Sequence, residues 1–346
     1  MNRLCDLLGV EAPVLQAPMA GHQDADLALA VAGAGGLGAL PCATLDRAGI
    51  ERELERFRAV SAGSVNVNFF CHEPPRRDAT QEAAWTARLA PYYAELDLPA
   101  PEIPALPLRS AFDEAAAEIL ESFRPAVVSF HFGLPPRSLL ERVKSWGSKV
   151  LGSATTVAEA RWLEAQGVDA IIAQGLEAGG HRGMFLGSDV TTQVGTLALV
   201  PQVVAAVDVP VIAAGGIADA AGVAAAVALG AEGVQVGTAY LFCPESRISD
   251  RHRLALGSTN VSHTALTNLF TGRPARGIVN RVMRELGAMR TDVPTFPMAA
   301  AWIAPLRRAA EAVDSSDFTP LWSGQNAGSC RPLSAAELTG ELAAAI

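Results

Sequence analysis

The feature that most restricts the fold of this chain is a short apolar run that recurs eight times, each time followed by a turn and an alanine-rich stretch. Near-continuous apolar runs of this length suit strands buried on both faces of a parallel sheet. The intervening stretches show helical patterns with a capping residue at the start and a glycine just past the end, as at 156–166 and 219–229. The eight runs are 13–16, 36–40, 64–69, 126–130, 149–152, 170–173, 209–213 and 233–236.

Eight successive βα units predict an α/β fold of the TIM type, a (β/α)8 barrel. A doubly wound open sheet is the competing architecture, but it usually carries G-x-G-x-x-G after its first strand, and this chain has QAPMAG at 16–21 instead. We expect the barrel over residues 1–243. A proline-rich insertion at about 72–109, after the third strand, is too long for a turn and is expected to form a lid or wall. Residues 244–346 are expected to form a helical extension that contributes to the substrate cavity.

The amino-acid composition limits the classes of partner that this protein is expected to bind. The net charge of -9 comes without a basic stretch, which argues against nucleic acid. No apolar run approaches the roughly 18 residues of a membrane span, and the first residues lack the pattern of a secretory signal, so we expect a cytoplasmic protein. Five scattered cysteines without a C-x-x-C pair argue against a disulfide framework or a zinc site, and no metal is expected. A homo-oligomer is compatible with the sequence, which does not report oligomeric state.

Glycine pairs follow the last two predicted strands. Gly215 and Gly216 end the seventh strand, and Gly237 and Thr238 end the eighth. In barrels of this type a phosphate commonly sits among the loops after strands seven and eight. Glycines there let backbone N–H groups approach an anion, although either pair alone could simply permit a tight turn. Both pairs together predict a phosphate site.

Amide side chains end two other strands. Asn66 and Asn68 share one side of the third strand because side chains alternate, and Gln174 follows the sixth strand. Amides that both donate and accept hydrogen bonds suit the edge of a flavin ring, and Pro18 and Met19 could cover such a ring. Each amide, taken singly, could equally be a satisfied core residue.

His181 lies in a glycine-rich loop just after the sixth strand. A neutral imidazole there could take a proton or donate a hydrogen bond to a developing anion. Glu177 is the nearest carboxylate in sequence, and it does not complete a nucleophilic triad. His131, at the end of the fourth strand, is either a substrate contact or a buried structural residue. We interpret the other four as structural or merely exposed: His22, His72, His252 and His263.

These motifs in this order resemble the nitronate monooxygenases. The resemblance is carried by 16–21 (QAPMAG), 66–70 (NVNFF), 129–133 (SFHFG), 173–183 (AQGLEAGGHRG), 214–217 (AGGI) and 235–238 (QVGT), and continues through 272–277 (GRPARG) and 320–325 (PLWSGQ). It implies an oxidoreductase that uses FMN and dioxygen to oxidise alkyl nitronates such as propionate 3-nitronate, without metal or nicotinamide. It implies that Ala17, Pro18 and Met19 pack near the flavin ring and that the rest of the FMN site is Asn68, Gln174, Gly179, Gly180, Gly215, Gly216, Gln235, Gly237 and Thr238.

The same resemblance makes His181 the active-site residue, either as the base that deprotonates a neutral nitroalkane or as a group that orients a nitronate. Related NAD(P)H-dependent FMN reductases, of the quinone reductase or enoyl-ACP reductase type, share the glycine-histidine loop and form the alternative. A flavin-free barrel lyase or isomerase that binds a sugar phosphate is a third hypothesis. Arg273 and Arg276 are candidates to meet a substrate carboxylate, unless both are solvated surface residues.

Overall fold

A computed structural model of the chain describes residues 2–101 and 110–346. In this part of the chain, eight parallel strands form one sheet in the order β1-β9-β8-β6-β5-β4-β3-β2. The sheet closes into a barrel through a parallel bridge between Leu15 and Leu37. The barrel strands are β1 (Val14–Gln16), β2 (Gly38–Pro41), β3 (Val65–Phe70), β4 (Val127–His131), β5 (Lys149–Ala154), β6 (Ala170–Gln174), β8 (Val211–Ala214) and β9 (Gly233–Val236).

Helices cover the outside of the barrel and make up much of the C-terminal segment. Most of them begin at a side-chain cap, as where Asp219 accepts a hydrogen bond from the backbone N–H of Gly222. They are α1 (Arg3–Leu8), α2 (Ala25–Gly33), α3 (Arg47–Val60), α4 (Ala79–Glu95), α5 (Glu114–Phe123), α6 (Arg137–Ser145), α7 (Val157–Ala165), α8 (Thr196–Val204), α9 (Ala220–Ala228), α10 (Thr238–Leu241), α11 (Asp250–Leu256), α12 (Arg281–Leu286), α13 (Ala300–Ala312) and α14 (Ala335–Ala343). No helix among the described residues is both long and apolar enough to traverse a bilayer.

The amino end of the barrel is plugged by α1. Leu4 and Leu8 of this helix are fully buried and pack against interior residues such as Leu15 and Ile212. The helix is held at its start by the Asn2 side chain, which accepts from two backbone N–H groups, and it ends at Gly9 in the left-handed conformation. This end of the barrel interior is therefore closed by apolar side chains.

The predicted (β/α)8 barrel is confirmed, and each predicted apolar run coincides with one barrel strand. Three further strands were not predicted. They are β7 (Gly180–His181), β10 (Thr264–Thr267) and β11 (Ala275–Ile278), and they form a separate antiparallel sheet in the order β10-β11-β7. The C-terminal segment, expected to be helical, therefore also supplies a hairpin that pairs with the loop after β6.

The insertion after β3 contains α4 rather than an open loop. Its Trp85, Leu89 and Tyr93 are buried in a second hydrophobic cluster with Trp302 and Leu306 of α13. Two hydrogen bonds join the helices: the Tyr93 hydroxyl donates to the Trp302 carbonyl at 2.6 Å, and the Trp302 indole donates to Thr86 at 2.8 Å. The insertion and the C-terminal segment thus share a core. Residues 102–109 of the expected lid lie outside the described residues, and the division at residue 243 stays a prediction.

Candidate active site

A deep cavity opens at the carboxyl end of the barrel, with an empty volume of ≈ 1330 Å³ counted out to its mouth. Apart from the candidate arginines Arg273 and Arg276, every site residue predicted from the sequence lines it. They are Ala17, Pro18, Met19, Asn68, His131, Gln174, Gly179, Gly180, His181, Gly215, Gly216, Gln235, Gly237 and Thr238. Carboxyl ends of parallel strands meet at one edge of a barrel, so residues distant in the sequence converge there. The structure thereby brings all of these side chains and loops together.

The loops after β8 and β9 form one side of the cavity. Gly215 and Gly216 have φ angles of +120° and +72°, which side chains rarely adopt. A Cβ at Gly215 would lie 2.7 Å from the Thr196 hydroxyl oxygen, so the loop is also tightly packed from behind. Across from it, the Thr238 hydroxyl accepts a hydrogen bond from the Gly324 N–H at 2.9 Å. A hydroxyl that accepts in this way keeps its own hydrogen to donate elsewhere.

Amide side chains from three strands face the centre of the cavity. The Asn68 amide donates to the hydroxyl of Ser129 at 2.9 Å, which fixes its orientation. Gln174 is committed to the loop after its own strand: it donates to the His181 carbonyl at 3.0 Å and accepts from the Gly183 N–H at 2.8 Å. The Gln235 Oε1 is buried and has no hydrogen-bond partner within the described residues. Because Gln235 also lines the cavity, this oxygen is available to accept a hydrogen bond from a group bound there.

His181 is held at both its backbone and its ring. Its carbonyl accepts from Gln174 and from the Nε2–H of His131, the latter at 3.2 Å. Its backbone belongs to β7 and pairs with Ala275 of β11. Its ring nitrogen Nε2 lies 2.9 Å from the hydroxyl oxygen of Thr271. These contacts fix the imidazole at the cavity wall.

Aromatic side chains surround the His181 ring. Its centroid lies 5.6 Å from the rings of both Phe296 and Trp322, and 6.0 Å from Phe132 and 6.1 Å from Phe70. These rings come from four separate parts of the chain. Phe70 and Trp322 also line the cavity, where they offer an apolar surface to an alkyl chain.

His131 is half-buried in the cavity wall, and desolvation there lowers its pKa to about 4; its hydrogen bond to the His181 carbonyl opposes this shift, and the charges of Arg273 and Arg182 add to it. It is therefore neutral at pH 7. Because its Nε2–H donates to the His181 carbonyl, its Nδ1 carries the lone pair. The histidine lines the cavity, but its hydrogen bond serves the position of His181, and its contact with substrate stays a prediction.

Glu177 has a structural partner. Its carboxylate accepts from the backbone N–H of Thr196 at 2.8 Å and from the Thr196 hydroxyl at 2.7 Å. A carboxylate at the first residue of α8 is favoured by the helix dipole and by the unpaired N–H groups there. It therefore orders the loop between β6 and α8. The described residues contain no group of three or more His, Cys, Asp and Glu arranged to hold a metal ion.

Three arginines behind the cavity hold its loops through backbone carbonyls. Arg182 is fully buried and donates to the carbonyls of Gln174 and Gly175 at 2.7 Å and 2.6 Å, and burial lowers its pKa to about 10. Arg273, whose pKa burial also lowers to about 10, donates to the Met184 carbonyl and stacks on Phe132. Arg276 donates to the Leu176 carbonyl at 3.0 Å.

Arg276 is buried and Arg273 is half-buried, and neither is among the residues that line the cavity. Their guanidinium groups donate to protein carbonyls, and a contact of either with a substrate carboxylate stays a prediction. Arg182, next to His181 in the chain, was not predicted to take part in the site. Its sequence signal was weak because a charged residue directly after a glycine-rich loop is usually exposed.

Sequence reasoning missed other residues of the cavity. Trp322, Gly324, Asn326 and Cys330 come from the C-terminal segment, and the Asn326 amide donates to the Gly216 carbonyl at 2.8 Å. The resemblance extends over 320–325 (PLWSGQ), but it implies no site role for these residues. The set also includes His22, interpreted from the sequence as structural or exposed, and Phe70, Ser129 and Ser153 at the ends of barrel strands. The position of these last three after buried strands was the signal that could have identified them.

Comparison with known proteins gives a consistent result over the whole length. A family model described as nitronate monooxygenase matches residues 1–345. The chain is 42% identical over 340 residues to the nitronate monooxygenase of Pseudomonas aeruginosa, across 97% of each protein. The solved structure of nitroalkane oxidase from Streptomyces ansochromogenes is 38% identical with a TM-score of 0.88, covering 99% of this chain and 97% of that one. FabK from Thermotoga maritima is 27% identical with a TM-score of 0.76, covering 100% and 96%.

Proposed function

Because the chain belongs to the nitronate monooxygenase family of flavin-dependent oxidoreductases, we propose that it binds FMN and uses dioxygen to oxidise alkyl nitronates such as propionate 3-nitronate. The observation that carries the proposal is the convergence of the glycine loops, the strand-end amides and His181 on one cavity. A fold shared by many enzymes would not by itself favour this reaction, whereas this set of groups does.

The glycine loops suit the phosphate of FMN. Gly215 and Gly216 hold backbone conformations that leave no side chain between the peptide groups and the cavity, and Gly180 has open space where a Cβ would stand. Phosphate binding by successive backbone N–H groups needs this kind of close approach. In the proposed complex Gly179, Gly180, Gly215, Gly216, Gly237 and Thr238 hold the phosphate end.

The amides suit the ring. The unpaired Oε1 of Gln235 accepts an N–H, and the flavin ring edge offers both donors and acceptors. Asn68 is pre-oriented by Ser129, so little side-chain entropy is lost on binding. Gln174 acts mainly by holding the His181 carbonyl, while Ala17, Pro18 and Met19 provide apolar cover. When bound, FMN supplies the redox chemistry, accepting electrons from the substrate and passing them to dioxygen.

The protein residues position the substrate and handle its proton. A nitronate already carries the negative charge, so His181 has only to donate a hydrogen bond that orients it. A neutral nitroalkane must first lose the proton next to its nitro group, and the His181 imidazole is the base. Phe70 and Trp322 line the cavity and offer an apolar surface to the alkyl chain, while Phe132 and Phe296 pack around the His181 ring.

Flavin content and substrate dependence test the proposal. The purified protein is expected to be yellow, and the flavin released on denaturation is expected to be FMN by mass. Oxygen uptake should occur with an alkyl nitronate and without NADH. The alternative outcome is that NADH or NADPH reduces and bleaches the flavin anaerobically at a rate fast enough to support turnover, while nitronates give no oxygen uptake. That result would favour the function of an NAD(P)H-dependent reductase. A colourless protein would favour a flavin-free barrel enzyme.

A further inference from the structure

Thr196 is the first residue of α8 and lies directly behind the glycine pair that follows β8. It is buried, and it is not among the described residues that line the cavity. Its hydroxyl oxygen lies 3.0 Å from the carbonyl oxygen of Gly215 and 2.7 Å from a carboxylate oxygen of Glu177. We propose that Thr196 is a positioning residue that fixes the peptide groups of Gly215 and Gly216 and thereby determines how tightly the phosphate of FMN binds. This inference rests on the proposed function.

Close packing holds the Thr196 side chain between two loops. A Cβ at Gly215 would lie 2.7 Å from the Thr196 hydroxyl oxygen, and a Cβ at Gly175 would lie 1.9 Å from the same atom. Both distances are shorter than van der Waals contact, so only glycine fits at either position. Because Gly175 follows β6 and Gly215 follows β8, a displacement of this hydroxyl would move both loops.

The hydroxyl of Thr196 is also the donor that two acceptors share. It carries a single hydrogen, and the Gly215 carbonyl and the Glu177 carboxylate both lie within hydrogen-bonding distance of it. The carboxylate also accepts the Thr196 backbone N–H at 2.8 Å, so the residue is held at two points. Removal of the hydroxyl would take this donor from both oxygens, and the cost of unpaired acceptors would favour a rearrangement of the loop after β8.

Gly215 and Gly216 are the part of the cavity wall that this contact fixes. Their φ angles of +120° and +72° belong to glycine, and the Asn326 amide holds the Gly216 carbonyl at 2.8 Å from the other side. A phosphate held by backbone N–H groups depends on short hydrogen bonds with a narrow range of angles. A small shift of these two peptide groups would therefore weaken the binding of the phosphate more than the binding of the ring.

Two ligands that differ only by the phosphate isolate this effect. Riboflavin has the ring and the ribityl chain of FMN without its phosphate, so the ratio of the riboflavin Kd to the FMN Kd measures what the phosphate contributes. Fluorescence titration of the full-length apoprotein gives both constants. In Thr196→Val, which removes the hydroxyl at nearly constant volume, the ratio is expected to fall by about 5- to 150-fold, the effect of one buried hydrogen bond lost. The riboflavin Kd should change little, and Thr196→Ser should keep the wild-type ratio.

Thr155 provides a matched control within the same chain. Its backbone N–H and its hydroxyl both donate to the Glu159 carboxylate at 2.7 Å, in the arrangement that Thr196 makes with Glu177. It is fully buried after β5 and is not among the residues that line the cavity. Thr155→Val should therefore lower the thermal stability as Thr196→Val does, and it should leave the ratio of the two Kd values unchanged.

The phosphorus NMR signal of bound FMN gives a second readout, in the holoenzyme. Its chemical shift depends on the hydrogen bonds that the phosphate accepts. The signal is expected to move in Thr196→Val and to keep its wild-type position in Thr196→Ser and Thr155→Val. An unmoved signal in Thr196→Val would overturn the proposal.

The titrations separate the failure of this inference from failure of the proposed function. Equal weakening of FMN and riboflavin in Thr196→Val, an unchanged ratio, or an equal fall of the ratio in Thr155→Val would overturn the positioning role. If the valine variant does not fold, Thr196→Ala takes its place with the same expected fall. A wild type that binds both flavins equally would overturn the inference and leave flavin-dependent oxidation intact. A wild type that binds neither flavin would contradict the proposed function itself.

Discussion

Replacing Gly180 with alanine separates the strain of the backbone from the space that a cofactor needs. Gly180 has a φ of +70° and no heavy atom within 4 Å of where a Cβ would stand. The left-handed conformation costs a non-glycine residue about 1–2 kcal/mol. With an unfolding entropy of about 2.1 cal/mol/K per residue, this lowers Tm of the apoprotein by roughly 1.5–3 °C. The added methyl group projects where FMN is proposed to lie, and overpacking of about 1–3 kcal/mol would raise the FMN Kd by about 5- to 150-fold.

Gly287→Ala is the matched control. Gly287 has a φ of +79° and equally open surroundings, but it is exposed and does not line the cavity. Both variants should therefore lose similar thermal stability without cofactor, and only Gly180→Ala should bind FMN weakly. The assay is fluorescence titration of the apoprotein with FMN, together with thermal denaturation. Wild-type affinity in Gly180→Ala, or equal weakening in Gly287→Ala, would refute the assignment of this loop to the cofactor.

Other predictions follow from the same geometry. His181→Ala should keep its FMN by absorbance yet lose at least about 100-fold in oxygen uptake with a neutral nitroalkane, since it removes the base; an undiminished rate would make the imidazole structural. Burial lowers the pKa of both His131 and His252 to about 4, so the unfolded chain takes up protons first as the pH falls below about 6.5. The free energy of unfolding should therefore decrease between about pH 6.5 and 4, by up to about 1.4 kcal/mol per pH unit per histidine, and His252→Gln should reduce the slope in denaturant titrations; an unchanged slope would contradict this. Arg182→Met should lower the free energy of unfolding by about 3–5 kcal/mol, because it leaves buried carbonyls unpaired, whereas exposed Arg137→Met should change it little.

The barrel could be predicted because each strand is apolar on both faces and short. The ends of the strands differ from the predicted ends where strand pairing continues past the apolar residues. For example, β5 extends to Ala154, because Ser153 and Ala154 still pair with Ile172 and Ala173. The hairpin β10 and β11 escaped prediction because its strands are four residues long and contain polar residues such as Arg276, so neither alternation nor an apolar run marks them.

The site was predictable to the extent that it follows from strand ends. Asn68 and Gln174 could be placed at one edge of the barrel because parallel strands share their direction. Trp322 and Asn326 could not, since their approach depends on how the C-terminal segment folds back over the barrel. Thr271 gave no signal at all, because a lone threonine becomes significant only once its distance to an imidazole is known.

The backbone of His181 belongs to the small antiparallel sheet and not to the barrel wall, and its strand pairs with β11 of the C-terminal segment. The reactive imidazole is thus anchored jointly by two stretches separated by about ninety residues. Substitutions in the C-terminal segment must therefore preserve the position of the histidine as well as the packing of the segment. A chimaera that exchanged this segment between relatives would keep its own barrel and its own histidine. The strand that pairs with the backbone of that histidine would then come from the other protein.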